Sequence, residues 1–204
     1  MASETSVANM GLRFIGQTAI VSRTDGSDNA NIVNDIFDDV RDDLLRSHPW
    51  NFATKRIKLA QSSTLPVFEF DFAYPLPADW ISTMSVHSND AGHSTVLHRM
   101  ELIGTQRAIV SSADQIYLRY VAQITDPNLW AADFRRCVSL AIGRDLAVAI
   151  ASSNTLQDQL NKQLSKTMAR ARSADAIGAS PELRQRGSWA NARNGFRNDS
   201  FLSD

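Results

Sequence analysis

The sequence contains a single cysteine, Cys137, so no intramolecular disulfide can staple it. That composition suits a protein assembled in a reducing compartment. A charge of one sign is also missing. The net charge is −1, which gives no global attraction to nucleic acid or to an anionic membrane. No apolar run is long enough to span a bilayer, because the stretch from Cys137 to Ala151 is interrupted by Arg144-Asp145. The N-terminus, Met1-Ala2-Ser3-Glu4, has no basic segment followed by an apolar one, so no signal peptide is expected. Phosphate-binding GxxxxGK[ST], GxGxxG and GxSxG motifs are all absent. The four histidines, His48, His87, His93 and His98, lack metal-ligand spacing, and the reading is of no catalytic, cofactor-binding or metal site. No internal repeat is present.

What remains is ordinary globular composition, 43% hydrophobic and 21% charged over 204 residues, enough to bury a core without staples. Periodicity divides the chain. Helical spacing of Val7, Met10 and Phe14 predicts a helix from Glu4 to Ile15, stopped at Gly16. A second helix is capped at Asp28 or Asn29 and ended near Ser47 by Pro49. Its apolar stripe is Ile32, Ile36, Val40 and Leu44, widened by Val33 and Phe37, and a polar stripe runs through Asn31, Asp35, Asp38 and Asp42. From Asp35 onward, five aspartates against Arg41 and Arg46 give a net charge of −3. This acidic stripe is open to three readings: a solvated face, a carboxylate or divalent-metal site, or a negative pore lining that keeps DNA from sticking.

Residues 50–124 read as strands. Phe68, Phe70, Phe72 and Tyr74 alternate, which predicts one strand with four rings on a core face. Other strands are expected at Phe52–Leu59, Trp80–His87, Thr95–Leu102, Arg107–Val110 and Gln115–Gln123, the last two joined as a hairpin through Ser111 to Asp114. Lys55, Arg56 and Lys58 form a basic strand cluster suited to phosphate contact or to edge protection. Helix returns after Thr125-Asp126-Pro127, with Thr125 or Asp126 as cap. Phe134 to Ala151 is apolar nearly all round, and Ala141, Gly143, Ala147 and Ala149 invite close helix approach. A last helix carries Leu156, Leu160, Leu164 and Met168 and ends near Gly178. Residues 179–204 have no periodicity; Arg184, Arg186, Arg193 and Arg197 lie among Trp189, Phe196 and Phe201, a composition of interface anchors or, equally, of a merely disordered terminus.

Several pieces occur in a characteristic order: "GLRFIGQTAI", "DNANIVNDI", "HPWNFATKRIKL", "FEFDFAYPLPADWI" and "RYVAQITDPNLWAADFRRCVSLAIGRDLAVAI". In this order, over about residues 5–175, the chain resembles the tail tubular protein A family, the head-to-tail adaptors of short-tailed phages related to the autographiviruses. The resemblance implies a helical bundle with an inserted β domain, which agrees with the α+β reading of the residues: a helical bundle from residues 1–49 and 125–178, a β-rich domain at 50–124 and, beyond the matched stretch, an extended C-terminal tail at 179–204. It implies a non-enzymatic virion protein, a ring of about twelve copies assembled in the host cytoplasm. Its implied partners are the portal protein above, a tail nozzle resembling tail tubular protein B, tail fibres, and packaged double-stranded DNA passing through the lumen without sequence-specific contact. The alternatives are a double-stranded-DNA-binding protein, a head-completion protein that plugs the portal, and an enzyme using the acidic helix. On the adaptor reading, Arg184, Arg186, Trp189, Arg193, Phe196 and Arg197 are the candidate portal-binding residues. Asp35, Asp38 and Asp42 are then the candidate lumen or interface residues.

Overall fold

The computed structural model describes residues 2–92 and 94–178. Among these residues, four helices and two antiparallel three-stranded sheets make an α+β fold. Helix α1 (Glu4–Phe14) starts at a capping box in which Ser3 and Ser6 each bond the other's backbone N–H. Its buried face is Val7, Ala8, Gly11 and Leu12, while Met10 is exposed. Helix α2 (Asp28–Arg46) is capped by Ser27, one residue earlier than expected, because the Ser27 hydroxyl accepts from the Ala30 N–H. Val33, Phe37, Val40, Leu44 and Leu45 form its buried stripe.

A 3₁₀ turn (Asn51–Ala53) leads into β1 (Thr54–Leu59). The first sheet has the order β1-β6-β3, with β3 at Trp80–His87 and β6 at Ile116–Ala122. The second has the order β2-β5-β4, with β2 at Phe72–Pro75, β4 at Arg99–Ile103 and β5 at Gln106–Ser111. Strands β5 and β6 therefore do not form the expected hairpin. Each is the middle strand of its own sheet, with both edges occupied, so the Ser111–Asp114 connection carries the chain from one sheet to the other. The hairpin is instead β4–β5, closed by Gly104-Thr105, where Gly104 has a φ of +62°.

The long aromatic strand is also shorter than expected. Ladder pairing begins only at Phe72, opposite Ser111. Glu69 adopts a left-handed φ of +73°, and the Phe70 N–H turns back to the Phe68 carbonyl. The kink breaks the alternation: Phe70 is 8% exposed but Phe68 is 78% exposed.

Helix α3 (Ala132–Ala149) is the hub of the helical part and packs against α1, α2 and α4 (Asn154–Gly178). It starts at Ala131 without a side-chain cap. Asp126-Pro127-Asn128 forms a preceding turn, with the Asn128 and Leu129 N–H groups bonded to Asp126, and not the first helical turn. Phe134, Cys137, Val138, Leu140, Ala141, Ile142, Gly143, Leu146 and Ala147 are buried, matching the expectation for a helix covered on several sides; Ala149 is exposed. The α1–α3 contact is close. A Cβ on Gly11 would lie 2.9 Å from Ile142 Cγ2 and 3.0 Å from the Ser139 carbonyl, and the Ser139 hydroxyl donates to the Val7 carbonyl at 2.9 Å. One hydrophobic core joins all four helices to the first sheet, and Phe70, Ala73, Ala108 and Val110 form a small satellite in the second.

Candidate interaction surfaces

The acidic face of α2 is organised by arginines. Asp25, ahead of the helix, accepts hydrogen bonds from Ser27 and from the Val21 and Ser22 N–H groups. Those bonds, the Ser27 hydroxyl first, hold its carboxyl at about 2. Arg23 reaches from the same loop to Glu4 (2.6 Å) and Asn34 (2.7 Å), and its guanidinium lies 4.3 Å over the Phe37 ring. Arg41 is only 4% exposed and is satisfied from both sides, by Asp42 at 2.8 Å and Asp38 at 3.0 Å. A buried charge requires such pairing. Asp42 also accepts from Gln123 Nε2 at 2.7 Å, which ties α2 to the end of β6.

The three candidate lumen residues thus have different surroundings. Asp38 is exposed but paired with Arg41 and Arg23, Asp42 is half-buried and engaged by Arg41 and Gln123, and Asp35 is exposed. The exposed acidic ridge is Asp35, Asp39 and Asp43, at i, i+4 and i+8, and none of the three has an ion-pair partner among the described residues. Sequence reasoning treated Asp39 and Asp43 only as charge. Their shared face follows once Arg41 is known to point inward.

The motif residues meet elsewhere. Phe134 sits edge-on to Trp50 (5.1 Å), Phe52 (5.1 Å) and Trp130 (5.4 Å). The indole N–H of Trp50 donates to the Leu44 carbonyl, and that of Trp130 to the Ile124 carbonyl. These four rings clamp the two places where the chain passes between helices and sheets. In the Tyr74–Asp79 segment, the Tyr74 hydroxyl donates to the Ala113 carbonyl and so holds the β5–β6 connection. Asp79 pairs with Lys55 Nζ at 2.7 Å and accepts from the Tyr120 hydroxyl at 3.0 Å. Burial raises the Asp79 carboxyl, but the bonds from Lys55 and Tyr120 outweigh it and leave it below the usual aspartate value. Burial, with the adjacent Asp79 carboxylate, pushes Tyr120 up to about 12.

Apolar surface is concentrated around the second sheet. Leu65, Val67 and Phe68 are exposed in the loop before β2, and Leu97, Met100 and Leu102 are exposed on and beside β4. An open concavity of about 480 Å³ lies between Arg46, Trp80, Met100, Leu102 and Arg107. The basic strand β1 is a sheet edge: Lys55 is taken by Asp79, Lys58 bonds Gln115 and lies 5.5 Å over the Tyr117 ring, and Arg56 is exposed.

No protein-family model matches the chain, and no curated protein matches it either.

Cys137 is fully buried in α3, and burial, with Asp133 nearby, pushes its thiol up to about 11, away from nucleophilic character. His48 lies 3.2 Å from Asp175, which also accepts from the Asn51 N–H and so ties the end of α4 to the segment after α2. His98 bonds the Val96 carbonyl. Among the described residues, no three His, Cys, Asp or Glu side chains gather as metal ligands, and no helix is long and apolar enough to cross a membrane. The candidate portal-binding residues Arg184, Arg186, Trp189, Arg193, Phe196 and Arg197 lie outside the described residues.

Proposed function

We propose that the protein is a virion structural component, the head-to-tail adaptor of a short-tailed phage, and that it acts through its surfaces rather than by catalysis. In this reading about twelve copies form a ring beneath the portal, a tail nozzle docks below, and packaged DNA passes through the lumen. The helices form the frame of the ring, residues 50–124 project from it as an inserted β-rich domain, and residues 179–204 serve as an extended tail. The observation that carries the reading is where the shared motifs are used. Trp50, Phe52, Trp130 and Phe134 are spent on joining helices to sheets, and Asp79 on the Lys55 and Tyr120 contacts. Motif residues that build a rigid joint, rather than line a cleft, suit a part whose task is to hold other parts in register. The near-neutral charge suits a channel wall that lets DNA slide past.

The tail would supply the portal contact. Its four arginines would pair with portal carboxylates, and Trp189 would be the main anchor. The test is co-sedimentation with portal rings, followed by electron microscopy of the complex. The full chain should add a ring to the portal, and a chain ending at Gly178 should stay folded but lose stable attachment. A full chain that neither sediments with portal rings nor adds density to them would overturn the adaptor reading.

A further inference from the structure

Helix α4 is 25 residues long, yet only Leu160, Leu164, Met168 and Ala171 are buried. Among the described residues its principal neighbour is α3, and most of its circumference is exposed. The uncovered face carries Lys162, Lys166 and Arg170 at i, i+4 and i+8, all exposed. None of the three has a carboxylate partner among the described residues. Asp175, one of two acids on the helix, is occupied by His48 and Asn51, and Asp158 is the other. The exposed ridge of α2, Asp35, Asp39 and Asp43, repeats the same spacing with the opposite sign. A ridge of three cations and a ridge of three carboxylates therefore stand at matching pitch, near 6 Å between successive charges along a helix. Within one chain no ion pair joins them.

We propose that the Lys162–Lys166–Arg170 face of α4 docks on the Asp35–Asp39–Asp43 ridge of α2 in a second copy of this chain. Two different, complementary surfaces on one protein give a head-to-tail contact, and such contacts close into rings when the rotation between copies allows. The proposal rests on the ring reading above and assigns the surfaces that make the ring. Opposed helix ridges of equal pitch also fix the register of the contact, since a slip of one turn leaves a charge unpaired at each end.

Charge reversal tests it. One variant carries Lys162→Glu, Lys166→Glu and Arg170→Glu; a second carries Asp35→Lys, Asp39→Lys and Asp43→Lys; a third carries all six. All six positions are exposed, and a thermal melt by circular dichroism checks that each variant is folded. Self-association, alone and on portal rings, is read by sedimentation velocity. Each triple reversal should weaken association by at least about 30-fold through like-charge contact. The six-fold variant should return to within about threefold of wild type, and raising salt should weaken wild type. Milder Lys→Gln and Asp→Asn triples should fall in between. If wild type forms rings and the triple reversals leave them intact, or the six-fold variant fails to recover, this contact is wrong while the ring reading stands. If wild type stays monomeric with and without portal, both fall together.

Discussion

Truncating Phe134 to alanine removes the ring at the centre of the aromatic clamp. Phe134 is fully buried, and its edge-to-face partners are Trp50, Phe52 and Trp130 at 5.1, 5.1 and 5.4 Å. A buried Phe→Ala change costs about 3–5 kcal/mol through lost transfer energy and the cavity left behind. Three aromatic pairs, each worth about 0.5–1.5 kcal/mol beyond area, push the expectation to the upper end, about 4–5 kcal/mol. Collapse is hindered, because Trp50 and Trp130 are each fixed by an indole hydrogen bond to a backbone carbonyl. Phe134→Leu keeps most of the volume and loses only ring geometry, for about 1–2 kcal/mol. The assay is urea denaturation followed by tryptophan fluorescence, with the slope checked for two-state behaviour. Against a typical total of about 5–15 kcal/mol, the alanine variant should lose a large part of its stability. A loss below about 1.5 kcal/mol for Phe134→Ala, or equal losses for Ala and Leu, would refute the clamp.

Three further outcomes are expected. Gly11→Ala should destabilise by about 1–2 kcal/mol in the same titration although alanine is the better helix former, because its Cβ meets Ile142 and the Ser139 carbonyl; a gain in stability would contradict the close α1–α3 approach. Phe70→Ala should cost about 2–4 kcal/mol and Phe68→Ala under about 0.5 kcal/mol, so equal losses would restore the single long strand. Asp79 has a depressed folded-state carboxyl, so its contribution is in place above the ordinary value of 3.8 and is lost as pH falls below it. Asp79→Asn should therefore be less stable than wild type at neutral pH, and the gap should narrow in acid; a gap that stays constant down to pH 3 would assign Asp79 a purely steric role.

Local patterns were legible where the physics is local. Trp80–His87 is a strand with the expected bounds, and α1, α2 and α4 end or begin within a residue or two of expectation, whereas α3 begins at Ala132, several residues after the expected Thr125 or Asp126 cap. Sheet partnership was not legible, because the residues between Ser111 and Ile116 look like a hairpin turn whichever sheet the next strand joins. The decision is made by remote partners: β1 claims one edge of β6 and β3 the other. The kink at Glu69 was hidden for a similar reason, since alternating aromatics look like a strand until no partner extends far enough to pair with them. On α2 the composition announced an acidic face. Which aspartates remain unpaired depended on the buried Arg41 meeting Asp38 and Asp42, a choice that no charge count contains.

The aromatic clamp also sets an order of events during synthesis. Trp50 and Phe52 leave the ribosome long before Trp130 and Phe134, their partners across the clamp. Closing a loop of roughly eighty residues carries an entropic term of about 4 kcal/mol, which the rings recover only when both sides are present. The nascent first helices and early strands must therefore wait, with Trp50 and the apolar stripe of α2 uncovered, until α3 emerges. A chain released before residue 134 lacks the closing ring and keeps that surface exposed to aggregation or chaperone capture. Completion of the core is thus tied to the emergence of α3, and a chain that stops before it is left with an unfinished fold.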